Sequence, residues 1–160
     1  MGNNDYRVTP LCEFPVRWVV RTDLVPKRGV LTIDDLERVP VLTFSKTSSP
    51  QAHVRALFID RDTEPRVCSF PSVESIIQLV GDGYGIAAIP PVFVRERLLR
   101  GELQVCEGPA LPPLVITVMS ERGANRAVRE TQALTTEVVA AFCDRVGDGW
   151  ARRLDPGPPG

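Results

Sequence analysis

Residues 72–101 carry a helix, a glycine-rich turn, a short apolar strand and a proline break in succession, and this order constrains the fold most. Ser72 is a favourable N-cap, and the apolar residues that follow it recur at helical spacing. Ile86–Ile89 is too short for a helix and apolar throughout, which is typical of a strand buried on both faces. Pro90 and Pro91 end that strand and can open the next helix, because a proline in the first turn loses no helical hydrogen bond.

Short strands alternate with helical patterns along the rest of the chain, which predicts an α/β fold with a mostly parallel sheet and flanking helices. The predicted strands are Arg17–Arg21, Val41–Phe44, Arg66–Phe70, Ile86–Ile89, Leu103–Cys106 and Leu114–Ser120. The predicted helices are a short one capped by Thr32, one over Gln51–Asp60 and a long one over Asn125–Val146. The residues expected to be buried in one sheet are Val19, Val41, Leu42, Val67, Ile86, Ala88 and Ile89.

Charge and hydropathy exclude several classes of function. A length of 160 residues suits one domain, and 19 basic against 20 acidic residues leave no electrostatic footprint for nucleic acid. No apolar run approaches the ~20 residues that span a bilayer. The polar start Met1–Asp5 lacks a signal-peptide pattern. We therefore expect a cytoplasmic protein with no membrane partner.

The four cysteines, Cys12, Cys68, Cys106 and Cys143, are far apart in the sequence and form no CxxC pair. Free thiols in apolar, strand-like runs usually behave as small buried hydrophobic groups. A structural role is therefore favoured over a redox or metal role. No metal or cofactor is predicted.

Nucleotide-binding and catalytic motifs are missing from the sequence. A dinucleotide fingerprint follows a strand and opens a helix, whereas Gly81–Gly85 follows a helix and opens a strand. The single histidine, His53, has no cysteine or carboxylate at ligand spacing, so it completes neither a metal site nor a catalytic set. We therefore expect no enzymatic activity.

The turn after the predicted strand Val41–Phe44 is the first candidate for a binding site. It brings hydroxyls and backbone N–H groups to a strand's carboxyl end and a helix start, where open α/β folds bind ligands and can receive an anion. The candidate residues are Thr43, Ser45, Lys46, Thr47 and Ser48. Capping of the helix by Ser48 or Ser49 is the alternative, and the two roles are compatible.

The next strand-to-helix junction, Phe70-Pro71-Ser72, is the second candidate, because the N-terminus of its helix would face the same cleft. The alternative is that Phe70 belongs to the core and that Ser72 only caps the helix.

The block SVESIIQLVGDGYGIAAIPPVFVRERLLRG resembles the most recognisable segment of the effector-binding domain of LysR-type transcriptional regulators, where the pattern lV..G.GIa.lP..lv...l..G.L recurs. Pro10-Leu11 and Pro15–Val20 resemble the family's strand that enters the second subdomain. The run LTIDDLERVPVLTF resembles the family's sl.dL...p.i.f segment. Each motif is loose, but their order and spacing match from about Tyr6 to Cys143.

This resemblance implies a fold of the type II periplasmic-binding-protein kind, in which the ligand lies in a cleft between two subdomains. It also implies that the chain senses a small, anionic effector and modulates transcription allosterically. It favours Ser45, because regulators of this family often place a hydroxyl there against the effector's carboxylate or sulfate-like group. Neither the helix-turn-helix nor the first subdomain has a counterpart here, so DNA would be bound only through a helix-turn-helix absent from this chain.

The expected division is a disordered N-terminus over 1–9, an effector-binding subdomain over 10–123, a C-terminal helix over 124–147 and a flexible tail over 148–160.

Two alternative functions stay open: a stand-alone solute-binding protein of the same fold, and a small α/β enzyme, which the lack of a catalytic set disfavours. The upstream coding sequence distinguishes a regulator from a solute-binding protein, since an in-frame helix-turn-helix supports the first and a signal peptide supports the second.

In the resembled family the long C-terminal helix leans toward the first subdomain, which has no counterpart here. We therefore predict that the apolar stripe of this helix is incompletely covered and that the chain self-associates as a homo-oligomer or is marginally soluble. The stripe consists of Val128, Leu134, Val138 and Phe142. Sedimentation velocity at several concentrations tests this prediction. A monomer at every concentration would show that the helix folds back onto the second subdomain.

Overall fold

The structure is a computed structural model that describes residues 6–46, 48–62 and 64–154 of the chain. Its strands are β1 (Tyr6–Phe14), β2 (Arg17–Arg21), β3 (Val41–Thr43), β4 (Val67–Ser69), β5 (Ile86–Ile89), β6 (Leu103–Cys106), β7 (Leu114–Glu121) and β8 (Arg152–Arg153). Its α-helices are α1 (Ile33–Arg38), α2 (Ser49–Ala56), α3 (Val73–Gly81), α4 (Arg95–Leu99) and α5 (Arg126–Val146), with 3-10 turns at Thr22–Leu24 and Pro91–Val94.

The chain divides into two compact units: a larger one over Pro15–Leu114, and a smaller one that combines the residues up to Phe14 with those from Val115 onward. This division differs from the one expected from the sequence. Residues 6–9 already belong to β1, and Arg152–Arg153 form β8 where a flexible tail was expected. The pairing that creates β8 joins Arg153 to Cys12, so no local pattern could have indicated it.

The larger unit contains a mixed five-stranded sheet with the order β4-β3-β5-β2-β6. Strand β3 runs parallel to β4 and β5, whereas β2 runs antiparallel to β5 and β6. The prediction of a mostly parallel sheet is therefore wrong, although the α/β fold and the common sheet are found. Apolar composition indicates that a strand is buried on both faces, and it carries no information on the direction of its neighbours.

Each face of this sheet has its own core. Along β2, Trp18 and Val20 belong to one cluster and Val19 belongs to the other, as alternation along a strand requires. Helices α1 and α2 cover the first face through Leu36 and Val54, and α3 covers the second face. The seven residues expected in the sheet all lie there, and only Val67 is half-buried rather than buried.

Two glycines explain the turn between α3 and β5. Gly83 has a φ of 76°, in the left-handed region that favours glycine after a helix. A Cβ atom on Gly85 would lie 2.2 Å from the carbonyl oxygen of Pro40. The same oxygen accepts a hydrogen bond of 3.0 Å from the amide of Ile86, so the close approach begins the pairing of β5 with β3.

The smaller unit contains a sheet with the order β7-β1-β8, against which α5 packs through β1 and β8. Asn125 caps α5 by accepting a hydrogen bond of 3.0 Å from the amide of Val128. Val128, Leu134 and Val138 are 41%, 61% and 68% exposed, so this part of the apolar stripe lacks cover in the structure. Of the helices that the structure describes, none is long and apolar enough to cross a membrane.

We predict that Ile76→Ala lowers the free energy of unfolding by about 2–5 kcal/mol, because Ile76 is fully buried between α3 and the sheet. Ile59→Ala is the matched control, because Ile59 is 81% exposed and its truncation is expected to change stability by no more than about 0.5 kcal/mol. Equilibrium urea denaturation measures both variants. Equal effects would contradict this arrangement of the core.

Candidate functional site

Two hydroxyl groups lie side by side at the carboxyl ends of the parallel strands β3 and β4. Thr43 is the register partner of Ser69. Thr43 is fully buried, and neither Thr43 Oγ1 nor Ser69 Oγ has a hydrogen-bond partner within the described part of the chain, although both atoms are buried. An unsatisfied buried hydroxyl lowers the stability of a fold by about 1–3 kcal/mol. A ligand that accepts hydrogen bonds from both hydroxyls would remove this cost.

The N-terminus of α2 follows directly from this strand end. The turn is closed by a hydrogen bond of 2.9 Å from the amide of Ser48 to the carbonyl of Ser45. Ser48 is also the N-cap, since its Oγ accepts a hydrogen bond of 3.3 Å from the amide of Gln51. The first turn of α2 holds no acidic residue, so the partial positive charge of this helix end is not compensated by a carboxylate of that turn.

The N-terminus of α3 is different, because its own side chains already satisfy it. Ser72 Oγ accepts a hydrogen bond from the amide of Ser75 and donates one of 2.8 Å to Glu74 Oε2. Hydrogen bonds from its own backbone amide and from Ser72 hold the pKa of Glu74 below its ordinary value. A carboxylate therefore already occupies this end of the helix, where it would oppose a second anion.

The two candidate regions also belong to opposite faces of the sheet. Thr43 lies two residues from Val41, and Ser69 two residues from Val67, so both hydroxyls belong to the face that α1 and α2 cover. Phe70 packs against the other core cluster, beneath α3, which is the core role considered for it. The amide of Phe70 donates a hydrogen bond of 3.0 Å to the carbonyl of Thr43, so the backbone joins the two strand ends.

The structure thus brings together some of the predicted site residues and separates others. Thr43 and the turn from Ser45 to Ser48 lie at one strand end, with Ser45 and Lys46 exposed and Ser48 half-buried. Thr47 lies outside the described residues. Sequence reasoning missed Ser69. The signal that could have found it is the matching position of a hydroxyl in the strands Val-Leu-Thr and Val-Cys-Ser.

The arrangement can bind an anion and shows little for catalysis. Two unpartnered hydroxyls can donate to a carboxylate or sulfate-like group, and the exposed Lys46 supplies a neighbouring positive charge. His53, in α2, has its Nε2 3.2 Å from the carbonyl oxygen of Ala110. Within the described residues, no group of three or more His, Cys, Asp or Glu side chains could hold a metal ion.

The candidate residues thus lie at strand ends of an α/β unit with a mixed sheet. The family model described as LysR substrate binding domain matches residues 2–143. The chain therefore belongs to the LysR substrate-binding-domain family, as its sequence resemblance indicated. Curated proteins provide no match.

Solved structures of LysR-family proteins share this fold. The regulatory domain of MetR from Neisseria meningitidis has 16% identity and a TM-score of 0.71, covering 96% of this chain and 71% of that domain. The regulatory domain of CcmR from Synechocystis, solved in complex with 2-PG, has 22% identity and a TM-score of 0.65, covering 86% and 67%. Full-length LysG from Corynebacterium glutamicum, solved with bound Arg, has 18% identity and a TM-score of 0.66, covering 88% of this chain and 49% of that regulator. The chain thus spans about half the length of this full-length regulator.

We predict that Thr43→Val leaves the free energy of unfolding unchanged or raises it by up to about 1–3 kcal/mol, because the substitution removes an unsatisfied buried hydroxyl. Ser48→Ala is the contrasting variant. It removes a hydroxyl that caps α2, so it should lower stability by about 0.5–2 kcal/mol. Urea denaturation of both proteins without added anions is the measurement. A loss of more than about 1 kcal/mol in Thr43→Val would show that this hydroxyl has a partner in the unliganded protein.

Proposed function

We propose that this chain is the effector-sensing module of a LysR-type transcriptional regulator and that it binds a small anion at the carboxyl ends of β3 and β4. The observation that carries the proposal is the pair of buried, unpartnered hydroxyls of Thr43 and Ser69, beside a helix end without an acidic first-turn residue. A carboxylate or sulfate-like group would accept hydrogen bonds from both hydroxyls and from the turn that holds Ser45 and Ser48.

Sensing by such a module needs no chemical step. An effector that binds one conformation of the regulator better than another shifts the population toward that conformation. The coupling free energy between effector binding and DNA binding then depends on how differently the effector and the DNA each bind the two conformations. The bound 2-PG and Arg named for CcmR and LysG support a small-molecule role in this family. Contact with DNA, and assembly into an oligomer, belong in this proposal to the complete regulator.

The predicted site residues have different roles in this proposal. Thr43, Ser45, Lys46 and Ser48 form the proposed anion site, to which we add Ser69. Thr47 is retained because it lies between Lys46 and Ser48 in the sequence. We propose that Phe70 and Ser72 support the structure beside the site rather than contact the anion, because Phe70 packs in the core and the hydroxyl of Ser72 donates to Glu74.

A panel of small anions tests the proposed site. The panel contains sulfate, phosphate, phosphorylated three-carbon acids, and mono- and dicarboxylates, and binding is detected as a rise in the thermal midpoint of the purified protein. We predict that Thr43→Val weakens the binding of the best anion by about 10-fold or more, because hydrogen bonds to a charged group contribute about 1.5–3 kcal/mol. Binding of equal affinity in this variant would contradict the site.

In the complete regulator, we predict that Ser45→Leu abolishes the transcriptional response to the effector and leaves the fold intact, because Ser45 is exposed in the turn at the strand end. Ser75→Leu is the matched control, since Ser75 is an exposed serine in the first turn of α3. Reporter expression across effector concentrations measures the response, and circular dichroism measures the fold. An unchanged response curve in Ser45→Leu would count against the assignment.

A further inference from the structure

Two cysteines that are far apart in the sequence meet inside the smaller unit. Cys12 of β1 and Cys143 of α5 are 2% and 3% exposed, and the strand and the helix that carry them pack against each other. The rings of Phe14 and Phe142, which lie next to them on the same two elements, meet edge to face with their centroids 6.2 Å apart. This ring contact fixes the helix against the strand at the level of the two thiols.

We propose that Cys12 and Cys143 are a redox-sensitive pair that forms a reversible intramolecular disulfide and thereby locks α5 onto β1. A disulfide requires Cβ atoms about 3.5–4.5 Å apart on elements that face each other. Cys12 shares a face of β1 with Phe14, and Cys143 directly follows Phe142 on the helix packed against that strand, so the ring contact places the two buried cysteines on facing elements at the same level. The other two cysteines, Cys68 and Cys106, belong to the larger unit.

A hydroperoxide is a sufficient oxidant for this step. The first thiolate attacks one peroxide oxygen, the O–O bond breaks, and the sulfur becomes a sulfenic acid while the other oxygen leaves with a proton as an alcohol or water. The second thiol then attacks the sulfenic sulfur, so that the S–S bond forms, the S–O bond breaks and water leaves. Overall, the two thiols lose two electrons and two protons, and the peroxide is reduced.

A groove in the smaller unit leads to one of the two sulfurs. It has a volume of about 410 Å³ and is lined mainly by apolar residues, among them Cys12, Phe14, Ile116 and Val138. A small peroxide that enters this groove reaches Cys12 first. Burial, with a smaller contribution from Cys143, raises the pKa of Cys12 to about 11. At neutral pH Cys12 is therefore almost entirely a thiol, so the reaction is slow and requires sustained oxidant.

Peptide mapping of the unaltered chain tests the proposal. The reduced protein is treated with hydrogen peroxide at pH 8.5, its remaining thiols are alkylated in denaturant, and it is digested with trypsin without reduction. The expected product links the peptide Val8–Arg17 to the peptide Glu130–Arg145, with the loss of two hydrogen atoms and with Cys68 and Cys106 alkylated. Dithiothreitol should separate the two peptides.

Two further measurements distinguish this disulfide from other oxidation. The double variant Cys68→Ser/Cys106→Ser should keep the cross-link, and its oxidised form should melt about 4 °C or more above its reduced form, because the bond closes a long loop of the chain. Cys12→Ser should lose both the cross-link and the shift in melting temperature. Sulfinic acid at either cysteine without the cross-link, or a linkage between different chains, would overturn the proposal. Because the peptide map uses the unaltered chain, a variant that fails to fold leaves the test intact.

Discussion

The close approach of Gly85 to the carbonyl oxygen of Pro40 is the contact on which the larger sheet depends. Any side chain at this position would place its Cβ 2.2 Å from that oxygen, which rigid backbone cannot accommodate. The contact lets Ile86 pair at the start of β3 and so aligns Val41 with Ile86. On its other edge, strand β3 pairs with β4 in the register that brings Thr43 next to Ser69. The strand that carries Thr43 is therefore held against β5 by a glycine contact at its opposite end.

Local signals predicted the order of the elements because each element has its own punctuation. Ser72 and Thr32 are N-caps as predicted, and β5 lies between a glycine before it and a proline after it. Strand direction was predicted wrongly and the smaller unit was not predicted, since both depend on pairing between distant segments. Strand β8 illustrates this, because two arginines form a strand only where Glu13 and Cys12 lie opposite them.

The candidate site was predicted in position but not in full composition. Strand-to-helix junctions can be recognised in sequence, and this was enough to select Thr43 and the turn that follows it. The hydroxyl of Ser69 lies beside that of Thr43 only because β4 pairs with β3 in this register, so the matching positions of the two hydroxyls in their strands become informative only once that pairing is known. Likewise, the sequence offered the N-termini of α2 and α3 as similar candidates. They differ because the carboxylate of Glu74 accepts a hydrogen bond from Ser72 at the N-terminus of α3, which only the structure shows. The two thiols of the smaller unit are a third case, in which long-range packing creates the relation between the residues.

The place of β2 in the middle of the larger sheet has a consequence for how the chain folds. Both of its neighbours are made much later than β2 itself, since Trp18 pairs with Ala88 on one side and with Cys106 on the other. Until those segments leave the ribosome, a strand with three buried apolar residues has neither partner. Contacts between such distant segments slow folding, and an unpaired apolar strand favours aggregation. The arginines at both ends of β2 carry charge that opposes association during this interval.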